Sequence, residues 1–144
     1  MKILVVCLGN ICRSPLAEGI LQSKLKDGFI IESAGTGNWH VGKSPDERSV
    51  LIARKYGIDI SKQRARQFHP DDFEKFDLIF VMDSQNYRDV LKLASNEVQR
   101  QKVKLILEDA DVPDPYFGGD DGFENVFQLL DRATDNFLVQ LKKS

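Results

Sequence analysis

Apolar β-branched segments alternate with amphipathic helical ones along this chain, which predicts an α/β fold on a parallel sheet. Two further observations point the same way. The strand candidates are continuously apolar, as strands covered on both faces must be. The 144 residues, 42% hydrophobic and 29% charged, suffice for one core of ordinary globular composition. The expected architecture is a four-stranded parallel sheet flanked by helices on both faces, a three-layer sandwich. Residues 1–144 are expected to form a single domain.

The elements follow in order. Lys2 to Val6 reads as a buried strand that stops at Gly9-Asn10. Ser14 to Lys26 carries Leu16, Ile20, Leu21 and Leu25 at helical spacing, with Ser14 as N-cap and Pro15 at the first helical position. Phe29 to Ser33 is the second strand, closed by Ala34-Gly35-Thr36-Gly37. Pro45 to Tyr56 reads as a helix ended by Gly57. The polar stretch from Ser61 to Phe76 is irregular, with short helical turns around Pro70. Asp77 to Met82 is the third strand, after which Asp83 or Ser84 caps a helix to about Ala94. Val103 to Leu107 is the fourth strand. Glu108 to Asp121 is an acidic loop, and Phe123 to Leu141 is a closing helix with Val126, Leu130, Ala133 and Phe137 on one face.

Composition excludes several function classes. A net charge of -2 gives no basic footprint for nucleic acid. No apolar run approaches the ~20 residues of a membrane span, and the apolar start at Met1 breaks off too early for a signal peptide. The chain is therefore expected to be cytoplasmic, with no membrane insertion. Two cysteines, Cys7 and Cys12, cannot make a disulfide scaffold or a four-ligand zinc site, so no metal or other cofactor is expected. Two thiols so close in a reducing compartment call for a chemical explanation. His40 and His69 lack metal-ligand spacing and read as ordinary polar residues.

That explanation lies in the first turn, Cys7-Leu8-Gly9-Asn10-Ile11-Cys12-Arg13-Ser14-Pro15. It joins a strand to a helix N-terminus, where unpaired N–H groups and the positive end of the dipole attract anions. Gly9 and Asn10 tolerate the left-handed conformations that gather successive N–H groups into a nest. Arg13 adds a planar fork suited to two phosphate oxygens. The same field favours the thiolate of Cys7. The pattern predicts a sulfur nucleophile beneath a phosphate cradle formed by Leu8 through Ser14.

This loop resembles that of the low-molecular-weight protein tyrosine phosphatases: Cys, five residues, Arg, then Ser or Thr, near the chain start. The resemblance continues through Ser33-Ala34-Gly35-Thr36, Pro45-Asp46-Glu47-Arg48, Met82-Asp83 with Asn86, and Asp114-Pro115-Tyr116. It implies a flavodoxin-like sandwich and a phosphatase acting on protein phosphotyrosine, with inorganic phosphate as product. Cys7 is then the nucleophile, Arg13 the phosphate clamp and Asp114 the general acid and base. Ser14 supports the thiolate, and Trp39, Tyr116 and Phe117 wall the substrate slot. Cys12 is the partner that traps oxidised Cys7 as a disulfide. A cognate tyrosine kinase is the implied partner, and a monomer or weak dimer the implied state. Ile11 stands where the related protein-arginine phosphatases have Thr, which favours phosphotyrosine over phosphoarginine. A phosphoryl-carrier or phospho-binding module would need the cysteine loop but not Asp114. The related arsenate reductases need further cysteines that this chain lacks.

Overall fold

Ile3, Leu4, Val5 and Val6 are all fully buried, and strand geometry explains how four successive residues can be. Alternate side chains point to opposite faces. Ile3 and Val5 enter one apolar cluster and Leu4 and Val6 another, so both faces of the sheet are covered. The structure, a computed structural model, describes residues 1–116 and 120–143. Its elements are β1 (Lys2–Cys7), α1 (Arg13–Lys24), β2 (Ile30–Gly35), α2 (Glu47–Lys55), α3 (Asp72–Lys75), β3 (Leu78–Val81), α4 (Ser84–Leu91), α5 (Glu97–Gln101), β4 (Val103–Leu105) and α6 (Asp120–Lys143).

The four strands are all parallel, in the order β2-β1-β3-β4. Leu16, Ile20 and Leu21 of α1, Ala53 of α2, and Val126 and Leu130 of α6 cover one face. Phe68, Phe73 and Phe76, with Val90 of α4, cover the other, where Phe68 and Phe73 meet edge to face at 5.3 Å. The chain leaves β1 toward β2 on one side and returns to β3 on the other. The strand order therefore reverses at β1, and a crevice opens beyond the carboxyl ends of β1 and β3. No helix of the described residues is long and apolar enough to cross a membrane.

Several boundaries differ from the sequence expectation, each for a local reason. Ser14 is not the N-cap of α1: Cys12 takes that place without a side-chain cap bond, and the Ser14 hydroxyl is used elsewhere. α2 starts after Asp46, whose carboxylate accepts the Arg48 N–H at 2.9 Å. Of the two caps expected for α4, Asp83 is the one used, accepting the Asn86 N–H at 2.7 Å. That helix ends at Leu91, and Asn96 caps a separate short helix, α5, by accepting the Gln99 N–H. β4 stops at Leu105 because Glu108, at φ +70°, turns the chain and donates its N–H to the Leu105 carbonyl. β2 runs two residues further than expected, to Gly35, which pairs with Cys7. A Cβ on Gly35 would lie 2.8 Å from the Leu8 carbonyl oxygen, so only glycine lets β2 pass this close to the turn after β1.

Candidate active site

The turn from β1 to α1 is organised around Asn10. Its φ of +57° is left-handed, a conformation Asn tolerates better than most residues. Gly9, expected to share it, does not. Its lack of a side chain leaves room for His40, whose Cδ2 would lie 2.9 Å from a Cβ and would have to shift. The Asn10 side chain is 2% exposed and fully engaged. Its Oδ1 accepts the backbone N–H of Arg66 at 3.0 Å. Its Nδ2 donates to Ser14 Oγ at 2.8 Å and to Ser33 Oγ at 2.9 Å.

Those bonds fix the direction of the next one. The Arg66 amide can only donate, which identifies Oδ1 and leaves Nδ2 to face the two hydroxyls. Ser14 Oγ thus already accepts a hydrogen bond, and its own proton is free for Cys7 Sγ, 3.0 Å away. The Asn10 backbone N–H points at the same sulfur, at 3.3 Å. Cys7 closes β1, is 3% exposed, and receives two donors aligned for a thiolate.

Arg13 opens α1 and is 3% exposed, which obliges it to be paired. Nη1 donates to Asp83 Oδ2 at 2.7 Å and to the Val112 carbonyl at 2.9 Å, while Nη2 lies 3.7 Å from Asp114 Oδ2. Burial by itself pulls the guanidinium pKa down. The charge of Cys7 and the bond and charge of Asp83 outweigh it, and the balance is raised. Asp83 sits at the carboxyl end of β3 and Val112 in the acidic loop, so the fork is aimed by both sides of the crevice. Asp83→Asn should keep the α4 cap but loosen this aim. A loss of about tenfold to a hundredfold in kcat/KM is expected from misplacement alone. Steady-state kinetics check it, and an unchanged rate would remove Asp83 as the residue that orients Arg13.

Cys12 differs from Cys7. It is 4% exposed, packs with Ile11, Ala65 and Phe123, and its thiol is pushed up to about 12. Burial is the main cause, followed by the charges of Asp46, Cys7 and Asp114. Cys12 is therefore a protonated thiol at neutral pH.

A cavity of about 120 Å³ sits over the sulfur, lined by Cys7, Leu8, Gly9, Ile11, Cys12, Arg13, Trp39, His40, Asp114 and Tyr116. Residues from three separate loops thus meet Cys7. Trp39 is 65% exposed, which places it on the rim rather than in the core. Asp114 is partly exposed; one carboxylate oxygen accepts the Tyr116 N–H at 3.0 Å and the other faces Arg13. Phe117, expected beside Tyr116, lies outside the described residues. A larger groove of about 840 Å³ runs between β4 and α6, but it contains no member of the cysteine loop. Among the described residues, no group of three His, Cys, Asp or Glu side chains is placed to hold a metal ion.

Three residues contribute to the site in ways that no sequence pattern signals. Ser33 holds the Asn10 amide from β2, and Asp83 aims Arg13. Arg48 pairs with Asp46, donates to the Tyr116 carbonyl at 2.9 Å and lies 4.6 Å from the Phe123 ring centroid. It thereby ties α2 to the loop of Asp114, and Asp46 N–H in turn binds the Ile11 carbonyl at 2.8 Å. Each lies in a segment with a recognisable residue pattern, yet the pattern says nothing of partners. His40, read as an ordinary polar residue, is corrected to a wall of the cavity, its ring 6.4 Å from that of Tyr116.

A sulfur fed by two donors, a buried guanidinium and an aromatic-walled slot at the switch point of an α/β sheet define a cysteine-dependent phosphatase. Comparison with known proteins narrows the class. Residues 2–144 match the family described as low molecular weight phosphotyrosine protein phosphatase. A Synechocystis relative whose name places it in that family is 46% identical, over 99% of this chain and 98% of its own. The protein tyrosine phosphatase of Entamoeba histolytica superposes with a TM-score of 0.93 at 36% identity, covering 99% of this chain and 97% of that one. The Vibrio vulnificus protein Wzb, solved in complex with benzylphosphonate, gives 0.89 at 30% identity over 96% and 97%. The chain belongs to the low molecular weight protein-tyrosine phosphatase family.

Proposed function

We propose that this protein hydrolyses phosphotyrosine in proteins through a phosphoryl group carried on Cys7. The observation that carries the proposal is the convergence on one small cavity of Cys7 Sγ, Arg13 and Asp114. The sulfur attacks phosphorus, forming the S–P bond as the P–O bond to the tyrosyl ring breaks. Asp114 gives its proton to the departing phenolate. Arg13 and the N–H groups of residues 8–14 hold the non-bridging oxygens as charge builds on them. Water then attacks phosphorus and Asp114 takes its proton. The S–P bond breaks, inorganic phosphate leaves, and Ser14 O–H steadies the returning thiolate. Residues 1–144 supply the whole machinery as one domain.

The rim supports an aryl substrate. Trp39 and Tyr116 offer flat apolar walls, and a sulfur recessed behind them is reached more easily by a tyrosyl phosphate than by a short seryl one. Benzylphosphonate, bound by the Vibrio relative, has the same shape of ring and phosphorus. The test is hydrolysis of matched phosphotyrosine, phosphoserine and phosphoarginine peptides in the presence of EDTA. Preference for phosphotyrosine supports the proposal. Preference for phosphoarginine contradicts the substrate assignment, and no turnover reduces the protein to a phosphate-binding module. Within it, Asp114→Asn should slow aryl phosphates with poor leaving groups by about 10²-fold or more and those with good leaving groups far less. Equal losses would contradict the acid role.

Cys12 completes the proposal. Peroxide converts the Cys7 thiolate to a sulfenic acid; the Cys12 thiol attacks that sulfur and water leaves, giving a disulfide. Added dithiol should restore the parent after peroxide and restore Cys12→Ser less completely. Identical recovery would dismiss the protective role. The chain acts in the cytoplasm, as a monomer or weak dimer, against substrates that a cognate tyrosine kinase supplies.

A further inference from the structure

Doubly-wound sheets of this strand order commonly carry a fifth strand beyond the fourth. Here the order β2-β1-β3-β4 stops at β4, which is an edge strand among the described residues. The groove of about 840 Å³ lies along that edge. Its walls come from both layers. Tyr87 of α4 belongs to the apolar cluster on one face of the sheet. Phe80 of β3 and Phe137 of α6, which meet edge to face at 5.1 Å, belong to the cluster on the other. The groove thus wraps the edge and occupies the place of a fifth strand.

Backbone groups of β4 are turned away from β3. Ile79 N–H donates to the Lys102 carbonyl at 2.9 Å, and Ile106 N–H to the Val81 carbonyl at 3.0 Å. Val103 stands opposite Ile79 and Leu105 opposite Val81, so the even-numbered residues bond to β3. The odd-numbered ones present their N–H and C=O groups outward. Glu108 N–H takes the Leu105 carbonyl. The Val103 N–H and C=O and the Leu105 N–H have no hydrogen-bond partner among the described residues. Such a row is a template for another extended chain.

The side chains add charge. Lys104 and Arg132 both line the groove, both are exposed, and neither has a carboxylate partner among the described residues. Arg132 Nε donates to the Gln128 carbonyl at 3.4 Å, which leaves its charge unmatched. Asp131 and Asp135, its neighbours on α6, are held by Lys24. Glu108, the one acid of the lining, is bonded by Gln140. A second copy is a poor occupant, because two-fold pairing of β4 with itself would bring one Lys104 against the other. A chain that brings a carboxylate is a good one.

We infer that β4 is a docking edge: an extended segment of a partner protein joins the sheet as its fifth strand and sets an acidic side chain against Lys104 and Arg132. This goes beyond the phosphotyrosine phosphatase reading and does not depend on it. The groove shares no lining residue with the cavity over Cys7, so the partner is held while the slot stays open. Main-chain bonds supply the affinity and the charges supply the choice. Exposed ion pairs are weak and screened by salt, so the choice is several-fold.

The test is amide NMR of the whole chain in excess inorganic phosphate, titrated with a short peptide alternating valine and glutamate. The Val103 and Leu105 amide signals should move most. The peptide should bind about threefold to tenfold tighter than its valine–lysine counterpart, by a margin that high salt shrinks. Lys104→Glu with Arg132→Glu should reverse the order. Leu105→Pro should abolish binding of both peptides; the N–H it removes takes no part in the ladder, so the sheet is kept. The remaining amide signals report that each variant is folded. Unmoved β4 signals with either peptide, equal binding of the two, or changes confined to the cysteine loop would overturn the inference. So would β4 shifts that grow with protein concentration alone, which would make the occupant a second copy.

Discussion

Cys7→Ser is expected to lower kcat/KM on phosphotyrosine by at least about 10⁴-fold, the scale on which loss of a nucleophile acts. Serine is close to cysteine in shape, and its hydroxyl can accept the same bonds from Ser14 and the Asn10 N–H. The cost in stability should be about 1 kcal/mol. Binding should survive, because Arg13 and the α1 N-terminus remain. What disappears is the nucleophile, since a serine hydroxyl here has no base beside it: Asn10 and Ser14 are donors to this position. Circular dichroism, thermal melting and turnover together check the prediction. Substantial residual activity in a folded variant would place the nucleophile elsewhere.

Arg13→Lys is the second large effect. Lysine keeps the charge and loses the fork. One amine cannot reproduce the bonds to Asp83 and to the Val112 carbonyl while also facing Asp114 and two phosphoryl oxygens. The loss should be about 10²- to 10³-fold and should fall mainly on kcat, because the geometry matters most when charge develops on the transferring group. Removing one partner of a buried ion pair also costs about 3–5 kcal/mol when no cation replaces it, so Arg13→Ala is a poorer probe than Arg13→Lys. A variant with nearly parental kcat would show that the guanidinium serves folding rather than catalysis.

The parts of this molecule that were legible in the sequence are those written in local patterns. Continuous apolar strands gave the covered parallel sheet, and the Cys7-to-Pro15 run gave a strand, a turn and a helix start in one stretch. The illegible parts are the long-range partners. Nothing local says that Asp83 reaches back seventy residues to Arg13, or that an Arg66 amide fixes the Asn10 side chain. Ser14 shows why. Its place before Pro15 reads as a helix cap, yet Asn10 and Cys7 claim its hydroxyl, and α1 begins two residues earlier, with Cys12 in the cap position. His40 is the same lesson in reverse. It has no motif, and only the clasp of its loop against Ala65 and its contact with Gly9 bring it to the cavity.

The most direct test of the account is to trap the phosphoenzyme. Asp114→Ala slows the hydrolytic step, so rapid mixing with a phosphate ester that has a good leaving group, followed by denaturing quench, should accumulate it. Mass spectrometry of the fragment from Ile3 to Arg13, which contains both cysteines, should then find one phosphoryl group, on Cys7 and not on Cys12. The same fragment from Cys7→Ser should carry none. Turnover without any phosphorylated fragment, or a phosphoryl group on another residue, would contradict the central claim.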